Sequence, residues 1–410
     1  MENDVIRPYR PRRRTLEHAV PRARQSVAYV VWVPREQAAR RRAPSLLLKL
    51  LVALLVGAAI ALSAPKALAD KFNTELSDDV ASLGMGTAGI NVSRGPYSVF
   101  YNPANIAAKD TGSHFQLVNF QFEGTGGYFA TTSSGNATNF LNLSSVYGAI
   151  KNNPNEFVGG RFTLYPNITL RNLSFGLLYE QNRGAIYRAF DGALRVKARD
   201  RLAPTVALSE RFASGILRLG ASAQLVTVGN ADAVIPPAIP ADPAFAKVVS
   251  SNSGLVLNGG ATLTLPVRFL PSFSVVARNI GNTRFSATPL VPFGDLRTEF
   301  TQPMTFDWGS SMTFYLGRRL EMKVALDYHD LTNKMDGGRF RHVFMGTELV
   351  FYDIIKLRAG LAHGYPSLGF GLNTRKASLD FAAYSDEMDD RLRGAQETRY
   401  VLQYTWEIFQ

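Results

Sequence analysis

Residues 172–181, with the sequence NLSFGLLYEQ, contain the pattern that decides the fold. Leu173, Phe175, Leu177 and Tyr179 are spaced two positions apart, so they share one face of an extended strand, and mostly small or polar residues occupy the other face. A helix would need apolar residues at intervals near 3.6, which this stretch lacks. The same period of two recurs in residues 217–225, 255–265 and 320–328.

Such segments follow one another along most of the chain. About 14 to 16 strand candidates, separated by turn signals, lie between Ser113 and Phe409. Two all-β architectures fit this pattern: a soluble sandwich or propeller, and a transmembrane antiparallel β-barrel. Only a closed barrel lets strands cross a bilayer with every backbone group paired. The segment length of about ten residues and the content of Tyr, Phe, Asn, Gln, Ser and Gly favour a barrel of about 14 strands.

The N-terminal part of the chain predicts export. Residues 45–70 read SLLLKLLVALLVGAAIALSAPKALAD, in which 13 apolar residues follow a basic stretch and precede the small-residue site Ala67-Leu68-Ala69. This is the layout of a secretory signal peptide, and the apolar run is shorter than the roughly 20 residues of a membrane-spanning helix. We expect cleavage after Ala69 and a location in the bacterial outer membrane. Residues 1–44 are interpreted as a disordered extension or as the result of a start codon assigned too far upstream.

The net charge of +12 does not indicate nucleic-acid binding, because most of it lies in the leader. Residues 1–69 carry 13 Lys and Arg against 4 Asp and Glu, which leaves a net charge of only +3 on the rest of the chain. We therefore expect no nucleic-acid partner. The chain contains no cysteine, which excludes disulfides and thiolate metal sites.

Three motifs that suggest chemistry have simpler interpretations. Residues 84–89 read GMGTAG, but a dinucleotide site needs this pattern inside a βαβ unit, and no alternating helices follow. The acidic run at residues 386–390 lacks turn glycines at calcium-ligand spacing and is interpreted as a solvated loop. The histidines of the exported part are scattered, without a nucleophile pattern: His114, His329, His342 and His363. We expect neither an enzyme nor a metal site nor a cofactor.

A basic ladder runs along residues 194–202. Arg195, Lys197, Arg199 and Arg201 share one face of the predicted strand. Because a charge facing lipid at mid-depth costs about 2–4 kcal/mol, these side chains should face the lumen or lie beyond the membrane. They would then either guide anionic ligands such as carboxylates or form ion pairs within a solvated part of the strand.

Residues 83–107, LGMGTAGINVSRGPYSVFYNPANIA, resemble the N-terminal region of the FadL and PorV/TraF-like outer-membrane barrels. The Asn-Pro-Ala triplet matches that of the family's N-terminal plug. Further downstream, residues 274–281, 303–328 and 345–372 resemble the family's later strands. The candidate hatch motif consists of Gly84, Gly86, Gly89, Asn102, Pro103 and Ala104.

This resemblance implies an order of domains and two alternative functions. A signal peptide (45–69) would be followed by an inward-folding hatch (70–112) and a barrel (113–410). The FadL-like function is the passage of hydrophobic or amphipathic small molecules. The PorV/TraF-like alternative is a non-transporting scaffold or anchor for a secretion, conjugation or surface-attachment complex.

The expected partners follow from the same resemblance. They are membrane lipids, the barrel-assembly machinery, and either a hydrophobic small-molecule ligand or a secretion-complex partner. The last strand resembles the C-terminal assembly signal, with Tyr400, Tyr404 and Trp406 on one face, although Gln410 rather than an aromatic residue ends the chain. The proline-rich stretch at residues 236–243 is interpreted as an external loop that could contact a partner.

Overall fold

The computed structural model describes residues 78–108, 113–133, 150, 157–187, 192, 194–235, 247, 249–334, 339–387 and 396–408. The predicted signal peptide and leader, residues 70–77 of the predicted hatch, the proline-rich stretch at 236–243 and residues 388–390 of the acidic run lie outside the described residues.

The alternating segments form the predicted strands, and several strands extend well beyond the ten residues expected. They are β1 (His114–Thr125), β2 (Phe157–Leu164), β3 (Asn167–Thr169), β4 (Leu173–Tyr187), β5 (Leu194–Phe212), β6 (Leu217–Ile235), β7 (Ser250–Thr264), β8 (Ser272–Arg278), β9 (Thr283–Phe285), β10 (Phe300–Gln302), β11 (Thr305–Gly317), β12 (Leu320–Tyr328), β13 (Val343–Phe351), β14 (Ile355–Ala362), β15 (Tyr365–Asn373), β16 (Ala377–Glu387) and β17 (Gln396–Glu407).

All of these strands except β9 and β10 form one antiparallel sheet that closes into a barrel of 14 wall strands. β2 and β3 count as a single wall strand, interrupted at Tyr165 and Pro166, because both pair with β1 on one side and β4 on the other. The first and last strands close the ring, with β1 paired to β17 from Gln116↔Glu407 to Thr125↔Arg399. The predicted antiparallel barrel of about 14 strands is confirmed.

The two faces of the wall have opposite polarity. On β4, Phe175 and Leu177 point outward and are 45% and 44% exposed, whereas the inward Ser174 and Glu180 are each 1% exposed. Exposed Leu, Val, Ile and Phe side chains recur on the outer face of nearly every wall strand. An apolar outer face and a polar inner face are the arrangement of a barrel in lipid, and the reverse of a soluble sandwich.

The two ends of the barrel differ in their connections. One end carries six short turns, at residues 170–172, 213–216, 265–271, 318–319, 352–354 and 374–376. The other end carries the longer connections, including residues 279–304 between β8 and β11, and one two-residue turn at 363–364. The same difference between ends is typical of bacterial outer-membrane barrels, which have short turns on the periplasmic side and longer loops outside.

The helices are short. They are α1 (Val80–Gly84), α2 (Ser98–Tyr101) and α3 (Gly126–Ser133), with 3-10 turns at Pro103–Ala108, Ala213–Gly215 and Arg339–His342. Within the described residues, none of the helices has the length and apolar character needed to cross a membrane.

Residues 78–108, called here the inner segment, reach across the interior of the ring. α1 packs against β14, β15 and β16, and the 3-10 turn Pro103–Ala108 packs against β5, β6 and β7. In the strand order of the barrel, β15 and β6 lie on opposite sides of the ring. A segment that touches both from their polar faces lies within the lumen.

The wall is irregular beside the long-loop end of β7. β6 pairs with β7 as far as Ser250, but β8 pairs with β7 only between Gly259 and Thr264. Residues 279–304 cover the remaining edge, where Ser286 exchanges two backbone hydrogen bonds with Ser253. The β9–β10 hairpin within this stretch carries Phe285, which is buried among lumenal side chains.

Candidate functional site

The Asn-Pro-Ala motif anchors the inner segment to the wall. The fully buried Asn102 donates through Nδ2 to the Thr262 hydroxyl at 2.9 Å and to the Ile90 carbonyl at 3.2 Å. Its Oδ1 accepts from the Ala104 N–H at 3.1 Å. Pro103, which has no N–H to satisfy, begins the 3-10 turn that follows. The motif therefore fixes a tight turn and ties it to β7.

The wall makes room for this turn with two glycines. A Cβ at Gly260 would lie 2.1 Å from Asn102 Oδ1, and a Cβ at Gly220 would lie 2.4 Å from the backbone of Pro103 and Ala104. Sequence reasoning missed both wall glycines, because they resemble any other small residue in an alternating strand.

The three glycines predicted for the hatch motif all lie at close contacts. A Cβ at Gly84 would lie 2.8 Å from Gly369 Cα on β15, and one at Gly89 would lie 2.5 Å from the Tyr101 ring. Gly86 has φ +65° and sits against the backbone of Leu361, so both its conformation and its surroundings require glycine. The motif thus brings the start of the inner segment into direct backbone contact with the wall.

Arg278 on β8 is the strongest single anchor, and sequence reasoning did not identify it. Its fully buried guanidinium donates to the carbonyls of Phe100 at 2.6 Å and Tyr101 at 3.2 Å, and it forms an ion pair with Asp307 on β11. Asp307 also accepts from the Asp330 N–H at 2.8 Å. The only signal in the sequence was a charged pair on two strands that otherwise alternate apolar and small residues.

Further anchors are distributed around the ring. Asp327 on β12 accepts from the Ile90 N–H at 2.8 Å, and Ser209 on β5 donates to the Ala104 carbonyl at 2.9 Å. At the other end of the inner segment, Arg161 on β2 forms an ion pair with Asp78 at 2.9 Å. Side chains from many wall strands therefore converge on one short stretch of backbone.

One side of the lumen is filled by charged networks. Glu123 forms an ion pair with Arg161 at 2.6 Å and accepts hydrogen bonds from Arg399 and Tyr384 at 3.0 and 2.8 Å. A second network joins Arg358 to Glu348 at 2.8 Å and to Asp380 at 2.7 Å. Beside it, burial and the neighbouring Asp380 raise the pKa of Asp79, the N-cap of α1, to about 6.

The opposite side of the lumen contains an apolar region. We call its centre the lumenal aromatic cluster, which consists of Tyr97, Phe100, Tyr101, Tyr165, Phe285 and Phe300. The rings of Tyr97 and Phe100 lie 5.2 and 5.1 Å from that of Tyr165, and Phe285 stacks on Phe300 at 4.5 Å. Aliphatic wall residues surround the cluster: Leu178, Ala203, Ala207, Val226, Val228 and Val256.

The cluster draws on three separate parts of the chain. Tyr97 and Phe100 belong to the inner segment, Tyr165 to the interruption between β2 and β3, and Phe285 to the hairpin. The hydroxyls of Tyr165 and Tyr97 are hydrogen-bonded, to Thr205 at 3.2 Å and to Gln121 at 2.9 Å. All side chains of the cluster except the partly buried Phe300 are buried against one another, so an apolar molecule could reach the cluster only if the inner segment moved.

The basic ladder faces the lumen but is partly neutralised. Its residues share the face of Ser209, which contacts the inner segment. Arg195 pairs with Asp232 at 3.1 Å and Arg201 with Glu180 at 3.6 Å. On the opposite face, Leu194 belongs to a buried apolar cluster at the long-loop end. In the structure, Arg195 and Arg201 therefore act as ion-pair partners within the chain.

The four histidines were expected to be scattered, but three of them lie near one another in the structure. The rings of His329 and His363 lie 4.5 and 4.9 Å from that of Phe344, and the ring of His342 stacks on Tyr328 at the same end of the barrel. Burial lowers the pKa of His329 to about 4, so this imidazole is neutral near pH 7. Among the described residues, no group of three or more His, Cys, Asp or Glu side chains is placed to hold a metal ion.

Comparisons with known proteins support the fold. No protein-family model and no curated protein sequence matches the chain. A TodX deletion mutant described as a monoaromatic hydrocarbon channel matches with a TM-score of 0.50 at 12% identity, over 82% of this chain and 99% of that one. This likeness shows a shared fold, and the predicted FadL-like fold is confirmed at that level.

Two other solved structures match at lower scores. The Pseudomonas putida toluene transporter TodX has a TM-score of 0.49 at 12% identity, over 83% of this chain and 99% of that one. A Pseudomonas aeruginosa FadL homologue has a TM-score of 0.42 at 14% identity, over 84% of this chain and all of that one.

Proposed function

We propose that the chain is an outer-membrane channel through which small hydrophobic or amphipathic molecules pass. The apolar outer face of the closed barrel supports a membrane location, and a protein of the same fold is described as a monoaromatic hydrocarbon channel. The observation that carries the proposal is the lumenal aromatic cluster, because its apolar side chains would contact a solute that enters the lumen once the inner segment moves.

The expected affinity for an apolar solute is modest. A solute with one aromatic ring that buries about 150 Å² of apolar surface would gain roughly 4 kcal/mol, which corresponds to a dissociation constant on the order of 1 mM. Weak binding of this kind suits a channel, since a solute that binds too tightly is not released.

In this proposal the inner segment is the hatch that closes the pore. Tyr97 and Phe100 supply one wall of the aromatic cluster and belong to the inner segment, so a solute that binds there contacts the hatch itself. Passage then requires this segment to shift, and the bonds from Arg278 and Asn102 set the resistance to that movement.

Uptake of the dye phenylnaphthylamine tests the proposal, because the dye fluoresces only after it has crossed the outer membrane. A Gram-negative host that expresses the protein should take up the dye faster than the host alone. Phe285→Asp places a charge in the aromatic cluster and should return uptake to the background rate, whereas Phe285→Leu keeps the site apolar and should preserve uptake. Phe285 lies on the hairpin rather than in the wall, so both variants should assemble equally well.

The scaffold function remains the alternative, and the charged networks favour it. Arg161, Glu123, Arg399 and Arg358 fill one side of the lumen with ion pairs that a wide pore would not need. A scaffold would leave dye uptake at the background rate in every variant while the barrel assembled normally, and that result would replace the channel proposal.

A further inference from the structure

The short-turn end of the barrel carries a belt of unpaired positive charge. The six turns contain six basic residues and a single acidic one, Asp353. All six basic residues are exposed. The turn belt, as we call it, consists of Arg171, Arg268, Arg318, Arg319, Arg375 and Lys376.

The lack of pairing sets these residues apart. Among the residues that the structure describes, the side chains of the turn belt make no hydrogen bond and no ion pair. At the long-loop end, by contrast, two exposed arginines have acidic partners within the chain: Arg284 pairs with Glu299 at 2.6 Å, and Arg195 pairs with Asp232 at 3.1 Å. Within the described residues, no ion pair therefore neutralises the positive charge of the turn belt.

The belt adjoins the apolar outer face of the wall. Val267 and Ile354, both exposed, lie within the same turns as belt residues or beside them. Two of the cations lie over aromatic rings at this boundary, with Arg319 at 4.8 Å from the Tyr352 ring and Arg268 at 4.8 Å from the Phe269 ring. An apolar surface bordered by aromatic rings and then by cations matches the order of acyl chain, interface and headgroup in one leaflet.

We infer that the turn belt binds the phosphate groups of anionic glycerophospholipids in the leaflet that surrounds the short-turn end. The inference rests on the membrane location proposed above and goes beyond the channel function. Each basic side chain near an anionic lipid surface favours association by roughly fivefold at moderate ionic strength, so several together give a marked lipid preference. Phosphate is also the group that Arg recognises best, through its planar set of donors.

Electron spin resonance of spin-labelled lipids around the reconstituted barrel tests the inference. In phosphatidylcholine vesicles, labelled phosphatidylglycerol should be enriched at the protein surface several-fold over labelled phosphatidylcholine. About 0.5 M NaCl should remove most of that preference, because the Debye length then falls to a few ångströms. The triple variant Arg318→Gln/Arg375→Gln/Lys376→Gln should lower the preference at least twofold.

A matched variant removes the same charge from the opposite end. Arg284→Gln/Arg297→Gln/Lys334→Gln alters three exposed basic residues at the long-loop end and should leave the preference unchanged. Equal loss in both variants, or no preference in the wild-type protein, would overturn the inference. Capture of an acidic polypeptide by the turn belt without any lipid preference would overturn it as well.

Heat-modifiable gel mobility reports whether the barrel has assembled. It therefore distinguishes a failure of this inference from a failure of the proposed function. A barrel that assembles in vesicles without lipid preference contradicts only the turn belt inference. A chain that assembles in no bilayer contradicts the membrane location, and the inference with it.

Discussion

Replacement of Arg278 by Met should release the inner segment without opening the barrel. The change removes the guanidinium that holds the carbonyls of Phe100 and Tyr101, and it leaves the buried Asp307 carboxylate without its counter-ion. Breaking a buried pair from one side costs about 3–5 kcal/mol. The wall strands β8 and β11 keep their backbone ladder, so this cost falls mainly on the docking of the segment.

Hydrogen exchange measures this cost directly. If docking loses about 3–5 kcal/mol, amides around Asn102 should exchange roughly 100- to 4,000-fold faster in Arg278→Met than in the wild-type protein, at 1.4 kcal/mol per factor of ten. Amides in the wall and the heat-modifiable mobility should change little, because the wall strands pair with each other and with residues 279–304 rather than with the inner segment.

A double variant separates the two contributions. Arg278→Met/Asp307→Asn removes the stranded charge and should recover part of the protection, leaving the loss from the two carbonyls that Arg278 no longer satisfies. Unchanged exchange around Asn102 in Arg278→Met would refute the anchoring role. Loss of heat-modifiability would show instead that Arg278 holds the wall together.

Three further predictions use other parts of the molecule. Leu177→Arg should cost about 2–4 kcal/mol or block assembly, whereas Leu177→Phe should assemble normally on heat-modifiability gels, and equal behaviour would argue against a lipid-facing side. Because the pKa of Asp79 is raised from 3.8 to about 6 in the docked segment, docking should be strongest below pH 4 and weaken by up to about 3 kcal/mol as the pH rises to 6, as seen in proteolysis of the inner segment. Asp79→Asn should remove that pH dependence, and its persistence would assign it to another group. The mature N-terminus should be Asp70 by mass spectrometry, and a start upstream of Leu50 would contradict cleavage of a signal peptide.

The wall of the barrel could be predicted from the sequence because its signal is local. Side chains alternate with a period of two in each strand, so a window such as residues 172–181 contains the strand and the assignment of its faces. The register between neighbouring strands then follows from short turns, as in the pairing of β11 with β12 across Arg318 and Arg319. Closure of the ring then leaves no strand edge unpaired, which is what a location in a membrane would require.

The candidate site could be predicted only in part, because its contacts are distant in sequence. Asn102 was identified through a motif, but its hydrogen-bond partner Thr262 lies 160 residues away. The bond between Ile90 and Asp327 spans 237 residues and leaves no periodic signal in either strand. The lumenal aromatic cluster was missed for the same reason, since Phe285 lies on an excursion from the wall that no strand pattern predicts.

The central claim, that apolar molecules pass through the lumen when the inner segment moves, can be tested by locking that segment. The side chains of Asn91 and Ser274 are in direct hydrogen-bond contact, and the chain has no cysteine of its own, so Asn91→Cys/Ser274→Cys offers a single reversible disulfide between segment and wall. The pair Ser378→Cys/Thr405→Cys, which joins the neighbouring wall strands β16 and β17, is the control. Oxidation should stop uptake of phenylnaphthylamine in the first variant, a reductant should restore it, and the control should take up dye under both conditions. Undiminished uptake through the oxidised Asn91→Cys/Ser274→Cys barrel would contradict the account.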